Sequence, residues 1–206
     1  MSLRNRRKQE RREAILKAAD DIFGKVGYGR ATMDGIALGA GVGVATVYKY
    51  FGTKAHILEE IIRPDLEKCY AEAEKIIANP PADPGTAMSA LIDQYKYVRD
   101  NWSNRKMLQS VSYTRLAGEE ALDALVREAD TRVQAQIRDL LLVLKGRGSI
   151  DPKLNLEDAT AVIFSVFNQH FLMFVNYEDI DAGKMFSAME RRIIMLFSDW
   201  KKDSKS

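Results

Sequence analysis

An all-α fold is what this sequence predicts, and three observations carry that expectation. Apolar residues recur at i, i+3/i+4 spacing along most of the chain. No stretch shows convincing period-2 alternation, and no hairpin signal joins two such stretches. Capping residues stand where helices should begin, and glycines or prolines where they should stop.

The elements follow in order. Ala14, Ile15, Ala18, Ala19, Ile22 and Phe23 predict a first helix over about Gln9 to Val26, stopped by Gly27 and Gly29. Thr32 is the expected N-cap of a second helix ending near Ala40. Gly41 and Gly43 bracket a turn, and a short third helix is expected from about Val44 to Phe51. Thr53 should cap a fourth helix running into the seventies, which Pro64 should kink or break because proline lacks the backbone donor. The run NPPADPG (79–85) reads as a linker, and KGRGSIDP (145–152) as a turn. Further helices fit 85–101, 104–116, 119–145, 156–177 and 182–202, with Asn155 and Asp181 capping the last two. That makes about nine helices, with no internal repeat.

Composition bounds the class. The 206 residues suffice for a small module and a larger one, here 1–54 and 55–206. The one cysteine, Cys69, excludes an internal disulfide and points to a reducing, cytoplasmic setting. No signal peptide is expected, and no window is expected to reach the roughly 18 apolar residues of a membrane span, so no membrane partner is expected. Two histidines and one cysteine support no metal site, and no cofactor is expected. The net charge of +2 conceals an asymmetry: residues 1–54 hold eleven Lys/Arg against five Asp/Glu, and residues 55–206 hold twenty against twenty-four. A basic head on a mildly acidic body implies that the head meets a polyanion. The arginines at 4, 6, 7, 11 and 12 would add mobile phosphate contacts or reach a minor groove.

The segment TMDGIALGAGVGVATVYKYFGTK (32–54) is the most informative. Two short helices joined by a glycine turn are how a helix-turn-helix presents its second helix to the major groove. Val44, Ala45 and Thr46 are small enough to bring the helix close to base edges, and their methyls suit a thymine methyl. Tyr48 and Lys49 reach farther, to phosphate or base. Thr32 and Lys54, at two helix starts, are placed to grip phosphates. Ile36, Ala37, Val42, Val47 and Phe51 form the apolar underside.

With those residues in hand, the chain resembles the TetR-type transcriptional regulators. Ile36-Ala37, Ala40-Gly41-Val42, Thr46-Val47-Tyr48, Tyr50-Phe51 and Lys54 match that family's N-terminal signature over about 45 residues. The resemblance implies an all-helical homodimer with an N-terminal three-helix DNA-binding domain and a larger ligand-binding and dimerisation domain. It implies a repressor that leaves a palindromic operator when a small effector binds. Two positions depart from the pattern. Gly43 stands where the family often has a capping serine or threonine, and Leu38-Gly39 precedes the turn, where glycine weakens a helix by about 1 kcal/mol.

In the body, 159–177 is apolar almost all round, so burial on more than one side is expected. Phe186, Met189, Ile193, Leu196, Phe197 and Trp200 recur at helical spacing and are the candidate dimer interface; an intramolecular core is the alternative. Tyr95, Trp102, Met107, Tyr113, Phe167, Asn168 and Phe171 are candidates to line a pocket for an apolar or aromatic effector, although each also suits a plain core position. Enzyme readings find no support: no GxSxG, P-loop, HExxH or CxxC occurs, and the carboxylates fall on solvated helical faces. The rival reading is a helical carrier without specific DNA binding.

Overall fold

The computed structural model describes residues 2–101, 109, 120–177 and 179–200. Among these the protein is all-α: α1 Leu3–Val26, α2 Met33–Gly39, α3 Val44–Phe51, α4 Lys54–Ala78, α5 Pro84–Asn101, α6 Glu120–Gly146, α7 Leu156–Asn176 and α8 Ala182–Trp200, with a 3₁₀ turn at Tyr28–Arg30. The helix expected at 104–116 lies outside the described residues, so eight α-helices are described rather than nine.

The expected stops and caps explain most boundaries. The Thr32 side chain accepts from the Gly35 amide at 3.1 Å, Thr53 from the His56 amide at 3.2 Å and Asn155 from the Glu157 amide at 3.0 Å. Asp181 likewise accepts from the Lys184 amide at 3.0 Å. Asp83, inside the linker run, does the same for Thr86 at 2.9 Å, so α5 starts at Pro84. Proline is at home there, because a first-turn amide has no helical partner to lose.

Two elements depart from expectation. The first helix begins at Leu3 rather than Gln9: Ser2 caps it, and an Arg6–Glu10 ion pair of 2.8 Å braces its exposed turns. Polar turns contribute nothing to an apolar stripe, so periodicity could not register them. The arginines there accordingly stand on a helix. The second departure is α4, which stays helical through Pro64. A helix-interior proline costs about 3 kcal/mol. Burial of Ile57, Leu58 and Ile62 before it, and of Cys69, Tyr70 and Ala73 after it, offsets that cost.

The chain divides into two compact units. One comprises the described residues of Met1–Pro64 and Trp102–Val126; the other comprises Asp65–Asn101 and the described part of Arg127–Ser206. The first is built on α1, with Ile15, Ala18, Ala19 and Phe23 buried against Ile36, Ala37, Val47 and Phe51. The Phe23 and Tyr28 rings sit 5.5 Å apart within it. In the second unit α8 packs on α5 and α7, and its core includes Met88, Leu91, Ile137, Leu140, Leu144 and Ile163.

α7 corrects one expectation. By length and composition it is apolar enough to cross a membrane, contrary to the expectation that no window qualifies. Its buried side is that of a core helix, with Ala159, Thr160, Ile163, His170, Phe174 and Val175 packed inside the unit and Glu157 and Asp158 in its first turn. Within the single chain Val162 is exposed and Phe164, Val166, Phe167 and Phe171 are half-buried.

Candidate nucleic-acid interface

The site is built on the turn between α2 and α3. The Val42 amide donates to the Ala37 carbonyl at 3.0 Å and the Gly41 amide to the Leu38 carbonyl at 3.2 Å. These two bonds close α2 in a Schellman cap, whose αL position requires a positive φ. Gly41 supplies it, with φ of 66°. Gly43 does not share that need. Its φ of −71° is ordinary, and a Cβ there would meet nothing within 4 Å. Gly39 has a different purpose: a Cβ on it would come within 3.3 Å of the Ala18 Cβ, so its absence lets α2 lie close on α1.

α3 then divides by face. Val47 and Phe51 are buried, Val44, Thr46 and Tyr50 are half-buried, and Ala45, Tyr48 and Lys49 point to solvent. Tyr48 is 53% exposed, beside the exposed Ala45 and Lys49. The helix therefore offers an outward surface of small side chains flanked by a phenol and an ammonium. Thr32 is exposed at the start of α2, its oxygen already occupied by the Gly35 amide.

Lys54 is placed otherwise. Its Nζ donates to the Tyr28 carbonyl at 2.6 Å and the Ala31 carbonyl at 3.0 Å, and lies 4.2 Å from the centre of the Tyr28 ring. This half-buried ammonium ties the first turn of α4 to the segment between α1 and α2. Arg12 makes a similar tie, pairing with Glu60 and lying over the Phe51 ring at 5.5 Å. At the α3–α4 junction, His56 Nδ1 lies 3.1 Å from the Phe51 carbonyl and 3.1 Å from the Thr53 hydroxyl. Sequence reasoning did not single out these braces. A lysine or arginine that satisfies internal carbonyls has the same signature as one that awaits phosphate.

The candidate effector residues divide too. Trp102, Met107 and Tyr113 lie outside the described residues. In the second unit, the Tyr95 and Phe167 rings are 5.8 Å apart, and Phe167 stacks on Phe171 at 6.3 Å. Asn168 is half-buried on the same helix. The buried Tyr95 hydroxyl donates to Gln136, whose Nε2 donates to the Tyr70 carbonyl at 2.9 Å. Burial pushes the Tyr70 hydroxyl up to about 12, with Glu128 and Glu67 adding to it, and pushes Tyr95 up as well. A separate cleft of about 340 Å³ is lined by Glu74, Ile77, Ala78, Arg132, Ala135, Gln136 and Asp139. None of the candidates among the described residues lines it. In the sequence its charged side chains read as solvated helical faces, and hydropathy holds no sign that two such faces oppose each other.

The candidate dimer residues are mostly spent inside the chain. Phe186, Met189, Ile193 and Phe197 are buried in the second unit, and only Leu196 and Trp200 keep partial exposure. The apolar surface that remains on these helices is Val162, Ile194 and Met195. Among the described residues no His, Cys, Asp or Glu cluster could hold a metal ion.

An all-helical chain with an N-terminal helix-turn-helix is the class these features define. Comparison with known proteins sharpens it. Residues 15–61 match the model of the bacterial regulatory proteins, tetR family. The HTH-type transcriptional repressor KstR of Mycolicibacterium smegmatis is 36% identical over 67 residues, 32% of this chain and 33% of that protein. An uncharacterised HTH-type regulator of Bacillus subtilis, YhgD, is 35% identical over 66 residues, 32% of this chain and 35% of its own length. The match thus spans about a third of each curated relative. The fold likeness runs farther: a TetR regulator from Haloarcula marismortui superposes with a TM-score of 0.76 at 17% identity, over 94% of this chain and all of that one. Residues 15–61 thus match the tetR-family regulatory segment, and the chain as a whole shares its fold with a solved TetR regulator.

Proposed function

We propose that this chain is a sequence-specific regulator, in the first place a repressor, that binds a palindromic operator as a homodimer in the cytoplasm. Residues 1–54 are the DNA-binding domain and 55–206 the effector-binding and dimerisation domain. The observation that carries this reading is the outward face of α3, with Ala45, Tyr48 and Lys49 exposed while Val47 and Phe51 anchor the helix. Val44, Ala45 and Thr46 read base edges, and Tyr48, Lys49 and Thr32 hold the backbone. Lys54 reaches phosphate only in so far as its two carbonyl bonds allow, and acts mainly by bracing the start of α4.

One short helix reads few base pairs, so two copies about 34 Å apart, or a multiple of that, supply specificity. The exposed Val162, Ile194 and Met195, with the half-buried Leu196 and Trp200, favour self-association through α7 and α8. The half-buried rings of Phe167 and Phe171 beside Tyr95 favour an apolar or aromatic effector. Binding there would shift α4 and weaken operator binding, and DNA would weaken effector binding by the same factor.

Fluorescence anisotropy with a pool of randomised duplexes, followed by sequencing of the retained DNA, tests the reading. A recovered palindrome with steep salt dependence is expected. Weak binding at low salt with no enrichment would leave the carrier reading in front.

A further inference from the structure

The first turns of α1 carry a charge pattern that the helix-turn-helix does not use. Arg4, Arg7, Lys8 and Arg11 fall at i, i+3, i+4 and i+7, in register with Ile15, Ala18, Ala19 and Ile22 on the same helix. The stripe that faces α2 through Ala18 and Ile22 therefore continues outward as a row of four cations. All four side chains are exposed, and no acidic partner pairs with them among the described residues. The opposite face is neutralised: Arg6 pairs with Glu10 at 2.8 Å, and Gln9 donates to Glu13 at 2.9 Å. Arg12 is held by Glu60. Leu3–Ala14 extends the helix about 18 Å at about 1.5 Å per residue, beyond the first buried side chain, Ile15.

This arrangement carries a cost. The N-terminal end of a helix is its positive pole, and the first turn of α1 has no acidic residue. Cations placed there repel that pole and one another, so the pattern works against the helix unless a polyanion meets it. The family match covers residues 15–61, so the stripe lies outside the matched segment.

We propose that Arg4, Arg7, Lys8 and Arg11 form a second nucleic-acid contact, a rigid cationic stripe that lies on the phosphates of duplex DNA outside the bases read by α3. The inference rests on the DNA-binding reading above. Charge complementarity selects the partner, because duplex DNA presents phosphates at a density that matches one cation per helical turn or closer. A membrane surface fits poorly, since Leu3 is the one large apolar side chain in residues 3–14. Such contacts position the protein and carry no sequence information.

The test uses the full chain and the operator recovered by the selection above. Replacing Arg4, Arg7, Lys8 and Arg11 together with glutamine should lower affinity at least tenfold at physiological salt. The salt slope should fall by about 0.9 for each phosphate that the variant no longer neutralises. Base preference should stay the same, the hydroxyl-radical footprint should shorten at its ends, and R6Q should change none of these. Lysine at the three arginine positions should keep the slope, and the glutamine variant should melt no lower than the parent, since it relieves repulsion. An unchanged slope and footprint in the glutamine variant, with operator binding intact, would overturn the stripe while leaving the regulator reading in place. Loss of binding to anionic vesicles with an unchanged DNA slope would also overturn it, in favour of a lipid surface. Absence of DNA binding in the parent would sink both.

Discussion

α3 and α8 are both amphipathic helices that read in the sequence as surfaces for a partner, and the fold uses them oppositely. α3 sets its two large apolar residues, Val47 and Phe51, inward and leaves Ala45, Tyr48 and Lys49 uncovered. α8 turns its aromatic and methionine stripe into its own unit: Phe186 meets Phe174 at 5.7 Å, and Phe197 meets Trp200 at 5.4 Å. What α8 leaves outside is a different set, Ile194 and Met195. Periodicity says which residues share a face. It does not say whether that face closes on the same chain or on another molecule.

The largest effect that can break this contrast is expected at Phe197. Its ring is fully buried, so Phe197→Ala should cost about 3–5 kcal/mol and be read as a large drop in thermal midpoint. A folded variant with an unchanged midpoint that only dissociates to monomers would return Phe197 to an interface. In contrast, Met195→Ser should lower self-association in sedimentation while leaving the midpoint nearly in place, as Met195 is 63% exposed.

Alkaline pH sharpens the comparison from the side of the body. Tyr70 has an ordinary value of 10.0, raised to about 12 by burial first and by Glu128 and Glu67 next. The folded state therefore holds a proton that the unfolded chain gives up earlier. Its contribution is full below pH 10 and lost as pH rises through about 12, at most about 2–3 kcal/mol. Thermal melts between pH 9 and 11.5 should fall, and Tyr70→Phe should flatten that fall.

On the α3 side the effects are smaller and specific. Thr46→Ala should alter preference at one base position by about 1–3 kcal/mol without lowering the melting temperature. Equal losses on operator and random DNA would remove Thr46 from base reading. Smallest of all, Gly43→Ser should raise stability by a few tenths of a kcal/mol, since the backbone there suits any residue and the hydroxyl can cap α3. Gly41→Ala, by comparison, should lower it, because the positive φ disfavours a Cβ.

The helix-turn-helix was legible because each of its parts leaves a local mark: Thr32 before α2, Gly41 in the turn, alternating faces on α3. The same locality explains the misses. The polar turns before Gln9 are held by Ser2 and an ion pair, neither of which shows in hydropathy. Pro64 reads as a breaker, because the burial on either side of it that keeps α4 whole is invisible from its neighbours in sequence. The candidate effector residues Tyr95, Phe167 and Phe171 do gather, yet the hydrogen bonds from Tyr95 to Gln136 and on to the Tyr70 carbonyl span three helices far apart in the chain.

By itself the sequence determined the all-α class, most helix boundaries and the position of the turn, since these follow from contacts among residues a few positions apart. Tertiary structure decided which side chains remained for a partner. It took Lys54 and Arg12 into internal braces, buried Phe186, Met189, Ile193 and Phe197, and left Val162, Ile194 and Met195 outside. The physical reason is that a cation or an apolar face is satisfied by whichever complementary surface the fold brings first. That surface comes from distant parts of the chain, whose approach no local pattern encodes.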